Sequence, residues 1–121
     1  MKWQQTVLIF AGGGLGALLR GYISVQFAFS TSILSPATLL INAVGSLLIG
    51  FLWGFPLSTE IKSLLVIGLL GGFTTFSGFS IEFLQYMQHK SWSLGFLYVF
   101  FTVASSLFMV WVGNRLHSLL F

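Results

Sequence analysis

Cysteine is absent from this 121-residue sequence, proline occurs only twice, and charged residues make up just 6% of it. Without cysteine there is no disulfide framework, no thiol chemistry and no cysteine-based metal site. The acidic side chains are Glu60 and Glu82 alone, and no paired carboxylates, Ser-His-Asp set or metal-ligand spacing appear, which argues against an enzyme. The run Gly12-Gly13-Gly14-Leu15-Gly16 lacks the strand and acidic partner that a nucleotide site needs. Soluble domains carry about a quarter charged residues. A chain that is 56% hydrophobic, with a mean hydropathy of +0.97, is built to face lipid instead. The net charge of +3 comes from Lys2, Arg20, Lys62, Lys90 and Arg115, which are scattered rather than gathered on a face, so nucleic acid is not an expected partner. His89 and His117 fall near expected helix ends and read as interfacial residues rather than ligands.

What the sequence has in abundance is long apolar runs. They predict an all-α integral membrane protein, one domain over residues 1–121, with transmembrane helices at about 5–27, 36–55, 60–87 and 92–116. Lys2 before the first run resembles a signal-peptide start, but Arg20 inside it and three further runs favour a retained helix. Ser30-Thr31-Ser32 with Ser35-Pro36, then Pro56 to Glu60, then Gln88 to Ser91 mark the connections. Pro36 is placed to open helix 2, and Ser58 or Thr59 to cap helix 3. Trp3, Trp53 and Trp92 sit near the expected interfaces. Small residues recur at four-residue offsets, Gly12, Gly13, Gly14, Gly16 and Ala17 in helix 1 and Ser46, Gly50 and Gly54 in helix 2, and predict close helix packing in a compact, oligomeric bundle. Four spans put Lys2, Lys62 and Arg115 on one side and Lys90 with Arg20 toward the other. That weak asymmetry predicts insertion in both orientations.

Helix 3 departs from ordinary helix logic. Gly68, Gly71 and Gly72 precede Thr74-Thr75-Phe76-Ser77-Gly78-Phe79-Ser80, a sequence that weakens a helix near the middle of its span. Unwound backbone inside a membrane survives only where protein or a water-filled cavity shields it, so a break here marks an internal site. The alternative is a continuous glycine-rich packing helix. Phe76 and Phe79 are three apart; they serve either as core or as rings whose positive edges attract a desolvated anion. Asn42, isolated among apolar residues of helix 2, offers two amide donors, for an anion or for an interhelical bond. Thr102, Ser105 and Ser106 either extend a hydroxyl track or bond to their own helix. Arg20 and Glu82 are the charges within apolar segments and are candidates for aqueous vestibules or an interface.

Three motifs occur in order: Gly12-Gly13-Gly14-Leu15-Gly16-Ala17 followed by Arg20; Pro36-Ala37-Thr38-Leu39 leading to Asn42 and Gly45; and Gly71-Gly72-Phe73-Thr74-Thr75-Phe76-Ser77. On these motifs essentially the whole chain resembles the Fluc (CrcB) family of fluoride channels. The resemblance implies an antiparallel, dual-topology homodimer in the bacterial inner membrane, with helix 3 broken and two pores lined by both subunits. It implies passive fluoride export that protects against fluoride toxicity. Phe76 and Phe79 would then be the pore-facing rings, Asn42 the pore amide, and Ser77 and Ser106 pore hydroxyls. The carbonyls of Gly71 and Thr74 from both subunits would hold a structural sodium ion at the dimer centre. Gly78 stands where the family usually has threonine, so one hydroxyl of the helix 3 polar track is missing, and Ala37 stands where glycine is common. Two other classes compete. A small multidrug exporter needs a helix 1 carboxylate for proton exchange, and helix 1 here offers only Arg20. A non-conducting membrane assembly subunit accounts for the glycine faces but not for Asn42 and the helix 3 cluster.

Overall fold

The computed structural model describes residues 1–28, 37–89 and 91–121, and every regular element among them is helical. Helix α1 covers Trp3–Ala28 and α2 covers Ala37–Trp53. A third span, Thr59–Gln88, is composite. It begins as α3 (Thr59–Ile61), continues as a π-wound stretch (Lys62–Leu70), closes its first arm as α4 (Gly71–Phe73), and resumes as α5 (Phe76–Gln88). The long α6 (Trp92–Leu120) follows. The expected Ser30 to Pro36 connection, Pro36 as the opener of α2, and Lys90 lie outside the described residues.

α1, the third span and α6 are each long and apolar enough to cross a membrane, whereas α2 is a shorter apolar helix of 17 residues. At 1.5 Å per residue α2 is about 26 Å long, slightly less than a hydrocarbon core of about 30 Å. The chain is an all-helical membrane protein. Two expected ends need correction. Helix 2 stops at Trp53 rather than residue 55, because Gly54 and Phe55 turn, with the Phe55 amide donating to the Leu52 carbonyl at 3.2 Å. Helix 4 continues past Leu116 to Leu120, since nothing in His117 to Leu120 breaks it and the Ser118 hydroxyl bonds back to the Asn114 carbonyl at 3.1 Å. At the start of the third span Ser58 is the cap, its Oγ accepting the Ile61 amide at 3.3 Å.

Two tight helix pairs form the bundle. α1 packs along the π-wound stretch and α4, and α2 packs along α6, with α5 also leaning on α6. Glycine sets both close approaches. A Cβ on Gly12 would strike the Leu64 carbonyl, and one on Gly16 the Leu69 carbonyl. Across the second pair, Gly50 faces the Val110 carbonyl and Gly113 the Leu47 carbonyl in the same way. Backbone therefore meets backbone, which is how helices gain contact in lipid, where no hydrophobic force drives them together. The small-residue faces are used inside the subunit. The apolar core is slight: Ala37, Ile41 and Phe73 form one buried cluster, and Phe79, Tyr86 and Tyr98 another.

A substitution pair tests this frame. Gly50→Val forces α2 away from α6 and is expected to cost about 1–3 kcal/mol in detergent unfolding. Gly14→Val, where an added Cβ meets nothing within 4 Å, should unfold with the wild type.

Candidate functional site

The third span opens at Thr74 and Thr75, midway along its length. Thr74 has φ −74° and ψ 156°, and Thr75 has φ −149° and ψ 123°, both extended. Local chemistry closes each broken end. On the first arm, the Thr74 amide and its Oγ1 both donate to the Leu70 carbonyl, at 3.0 and 2.9 Å. On the second, Thr75 caps α5 by accepting the Gly78 amide on Oγ1 at 3.0 Å. Threonine suits both jobs because its hydroxyl competes with the helical ladder.

Asn42 holds the break from α2. Its Nδ2 donates to the Thr75 carbonyl at 2.9 Å, and its Oδ1 accepts the Thr75 amide at 2.8 Å. A planar carboxamide thus satisfies both backbone groups of one extended residue, as a neighbouring strand would. α2 comes close enough because Gly45 has no side chain where the Thr74 methyl lies. Of the two roles open to Asn42, the interhelical bond is made: one N–H is committed to Thr75, and the second remains. The same pairing takes the Thr75 amide away from Gly71, its partner in an unbroken helix, and the Thr75 cap takes the Gly78 amide away from Thr74. The carbonyls of Gly71 and Thr74 are thereby released from the ladder.

Two clefts meet at this point. One, of about 370 Å³, lies between α2 and the break and includes Asn42, Ser46, Gly71, Thr74, Phe76 and Ser106 in its lining. The other, of about 190 Å³, is lined by Asn42, Phe76, Phe79, Thr102, Val103, Ser106 and Leu107. Asn42, Phe76 and Ser106 belong to both. The Phe76 and Phe79 rings lie 5.3 Å apart at 53°, but their settings differ: Phe76 is 77% exposed and Phe79 only 8%. Phe79 is fixed by stacking on Tyr98 at 5.5 Å. The Thr102 hydroxyl is buried with no hydrogen-bond partner among the described residues. Ser105 instead bonds to its own helix, at the Thr102 carbonyl, 3.1 Å away.

The remaining sequence candidates fall outside the clefts. Ser77 is exposed and lies 3.2 Å from the Thr75 Oγ1. Arg20 is partly buried on α1, about two turns before its end. Glu82 accepts from the Thr38 hydroxyl at 2.6 Å and from the Tyr98 hydroxyl, so it closes a polar cluster instead of presenting a bare charge. Tyr98 was not among the sequence candidates. Its spacing of four from Thr102 and eight from Ser106 places it on their helical face, and that pattern was the available signal.

Comparison with known proteins follows from this geometry. The family model described as CrcB-like protein, Camphor Resistance (CrcB), matches residues 7–114. A protein of Shewanella frigidimarina named fluoride-specific ion channel FluC is 40% identical, over 93% of this chain and 94% of its own length. A Francisella philomiragia protein of the same name is 37% identical, over 88% of this chain and 89% of its own.

Removing the amide tests the clamp. Asn42→Leu leaves the Thr75 amide and carbonyl without partners and should lower stability by about 1–3 kcal/mol for each orphaned group. Asn42→Asp keeps the acceptor alone, so its detergent unfolding midpoint should fall between those of Asn42→Leu and the wild type.

Proposed function

We propose that this chain, which belongs to the CrcB-like protein family, is a fluoride-specific channel that passes fluoride downhill out of the cytoplasm across a bacterial inner membrane. The family is one of ion channels, and the chain is not an enzyme. The choice of fluoride rests on the relatives that carry that name. The observation that carries the reading on this chain is the smaller cleft, which joins uncommitted donors to aromatic edges. Asn42, Thr102 and Ser106 line it together with Phe76 and Phe79; Asn42 keeps a second N–H, and the Thr102 hydroxyl is buried with no hydrogen-bond partner among the described residues. Fluoride is small and strongly hydrated, so passage requires groups that replace its water without trapping it. Hydroxyl and amide donors supply the strong part of that exchange, and ring edges, positive by their quadrupole, the weak part. Passive flow suits a chain with no nucleotide-binding element and no carboxylate in α1 for proton exchange.

The working unit in this proposal is an antiparallel homodimer with two pores. A single subunit leaves the released carbonyl region at mid-span uncovered: Gly71 is exposed, and so is Phe76. Lipid cannot satisfy such backbone, so a protein surface must cover it. A second copy does this and completes each cleft. Two such breaks meeting would bring together four carbonyls, from Gly71 and Thr74 of each subunit. Neutral oxygen donors of this kind suit a hard cation such as sodium. Sodium there would hold the subunits together and would not be transported. Arg20 and Glu82 are assigned to the flanking vestibules or interface, and Ser77 to the pore approach.

In liposomes, the purified protein should release fluoride far faster than chloride. Phe76→Ile and Phe79→Ile should each lower fluoride efflux at least tenfold while the protein still elutes as the wild-type assembly; undiminished flux through both would remove the rings from the pore. C-terminal tags should be found on both faces of the membrane, and labelling on one face alone would exclude dual insertion.

A further inference from the structure

The α2–α6 pair carries a further groove toward the end of α2, which shares Ile49 with the larger cleft. It is about 480 Å³ in volume and is lined by Ile49, Gly50, Trp53, Val110, Trp111 and Asn114. Its composition is graded along its length. The inner part, at Ile49, Gly50 and Val110, is apolar. The outer part carries the Trp53 and Trp111 indoles, both largely exposed, and the Asn114 amide. The Arg115 guanidinium lies over the Trp111 ring, 5.6 Å from its centroid.

The depth of the outer part follows from the packing. Gly113 lies against Leu47 and Phe51, and Gly54 against the His117 ring, so residues 113–117 of α6 are level with the end of α2. Tryptophan prefers that level, at the boundary between hydrocarbon and headgroups. Arg115 is exposed there, and among the described residues it forms no ion pair. The chain has two acidic side chains: Glu82 is engaged by Thr38 and Tyr98, and Glu60 belongs to the first turn of α3. A cation held over an indole at headgroup depth, above an apolar groove, matches one ligand in both halves. A phosphate oxygen pairs with the guanidinium in a planar fork, and an acyl chain fills the groove below it.

We propose that this groove is a binding site for one anionic phospholipid, with its phosphate on Arg115 and Asn114 and an acyl chain along Ile49, Gly50 and Val110. The site is independent of which ion the chain conducts. Its test is native mass spectrometry of the purified full-length protein, delipidated and titrated with phosphatidylglycerol or phosphatidylcholine. The wild type should retain about one phosphatidylglycerol per subunit in preference to phosphatidylcholine. Arg115→Gln should lower that retention at least fivefold, Arg115→Lys should restore it in part, and Lys2→Gln with Lys62→Gln should leave it unchanged. Equal retention by Arg115→Gln, equal retention of the two lipids, or an equal loss in the Lys2 and Lys62 variants would overturn the proposal. So would an absence of retained lipid on the wild type, as expected if a second copy covers the groove.

Discussion

The pairing of the Asn42 carboxamide with both backbone groups of Thr75 is the constraint on which the rest of the fold depends. A helix broken in mid-membrane exposes amides and carbonyls that neither lipid nor its own ladder can satisfy. Asn42 satisfies two of them at 2.8 and 2.9 Å and fixes where α2 sits relative to the break. Glutamine would place its amide one carbon farther out, and aspartate would lack the donor. Because the bond joins a side chain on one helix to the backbone of another, it carries the register of α2 into the geometry of both arms of the third span. The clefts on either side of Asn42 are consequences of that register.

Rigidity around the clamp comes from backbone contact, with little help from side-chain volume. Gly12 and Gly16 seat α1 on the π-wound stretch, and Gly50 and Gly113 seat α2 on α6. Such contacts tolerate no added atom. They leave the larger apolar side chains free to face outward, as the exposure of Phe10, Leu18, Phe100 and Leu107 shows. The arrangement suits a lipid-facing protein, whose surface need not be polar and whose interior gains most from close dispersion contact.

The sequence made much of this legible. Apolar run length located three long helices and the shorter α2, and the glycines before Thr74 and Thr75 marked the place where the third span opens. Asn42 was legible as an isolated amide, and the family resemblance set Phe76, Phe79 and Ser106 beside it; the four line one cleft. The pair of hydrogen bonds between Asn42 and Thr75 was not legible, since a one-dimensional pattern says that an amide needs a partner without saying which backbone group lies opposite. Tyr98 was overlooked for a related reason. In a chain with 17% aromatic residues the helical spacing of one tyrosine stands out little, and its role shows once Glu82 is seen to accept its hydroxyl. The π winding of Lys62–Leu70 has no sequence signature beyond glycine content, because five-residue and four-residue ladders use the same residue types.

The unequal exposure of the two phenylalanines links the fold to the proposed channel. Phe79 is buried against Tyr98, whose hydroxyl is held by Glu82, which is held in turn by Thr38 of α2. Phe79 is therefore fixed by a chain of contacts that returns to the helix bearing Asn42. Phe76 meets the Phe79 ring, lines the clefts beside Asn42 and Ser106, and is otherwise exposed. A lining built from one fixed ring and one ring open to a neighbour is half a lining. Selective handling of a strongly hydrated anion requires walls that do not yield, since soft walls would admit the ion with its water. In the proposed channel Phe79 would meet that demand within one chain and Phe76 once a second surface closed over it, which is the physical reason to seek the functional unit in an assembly.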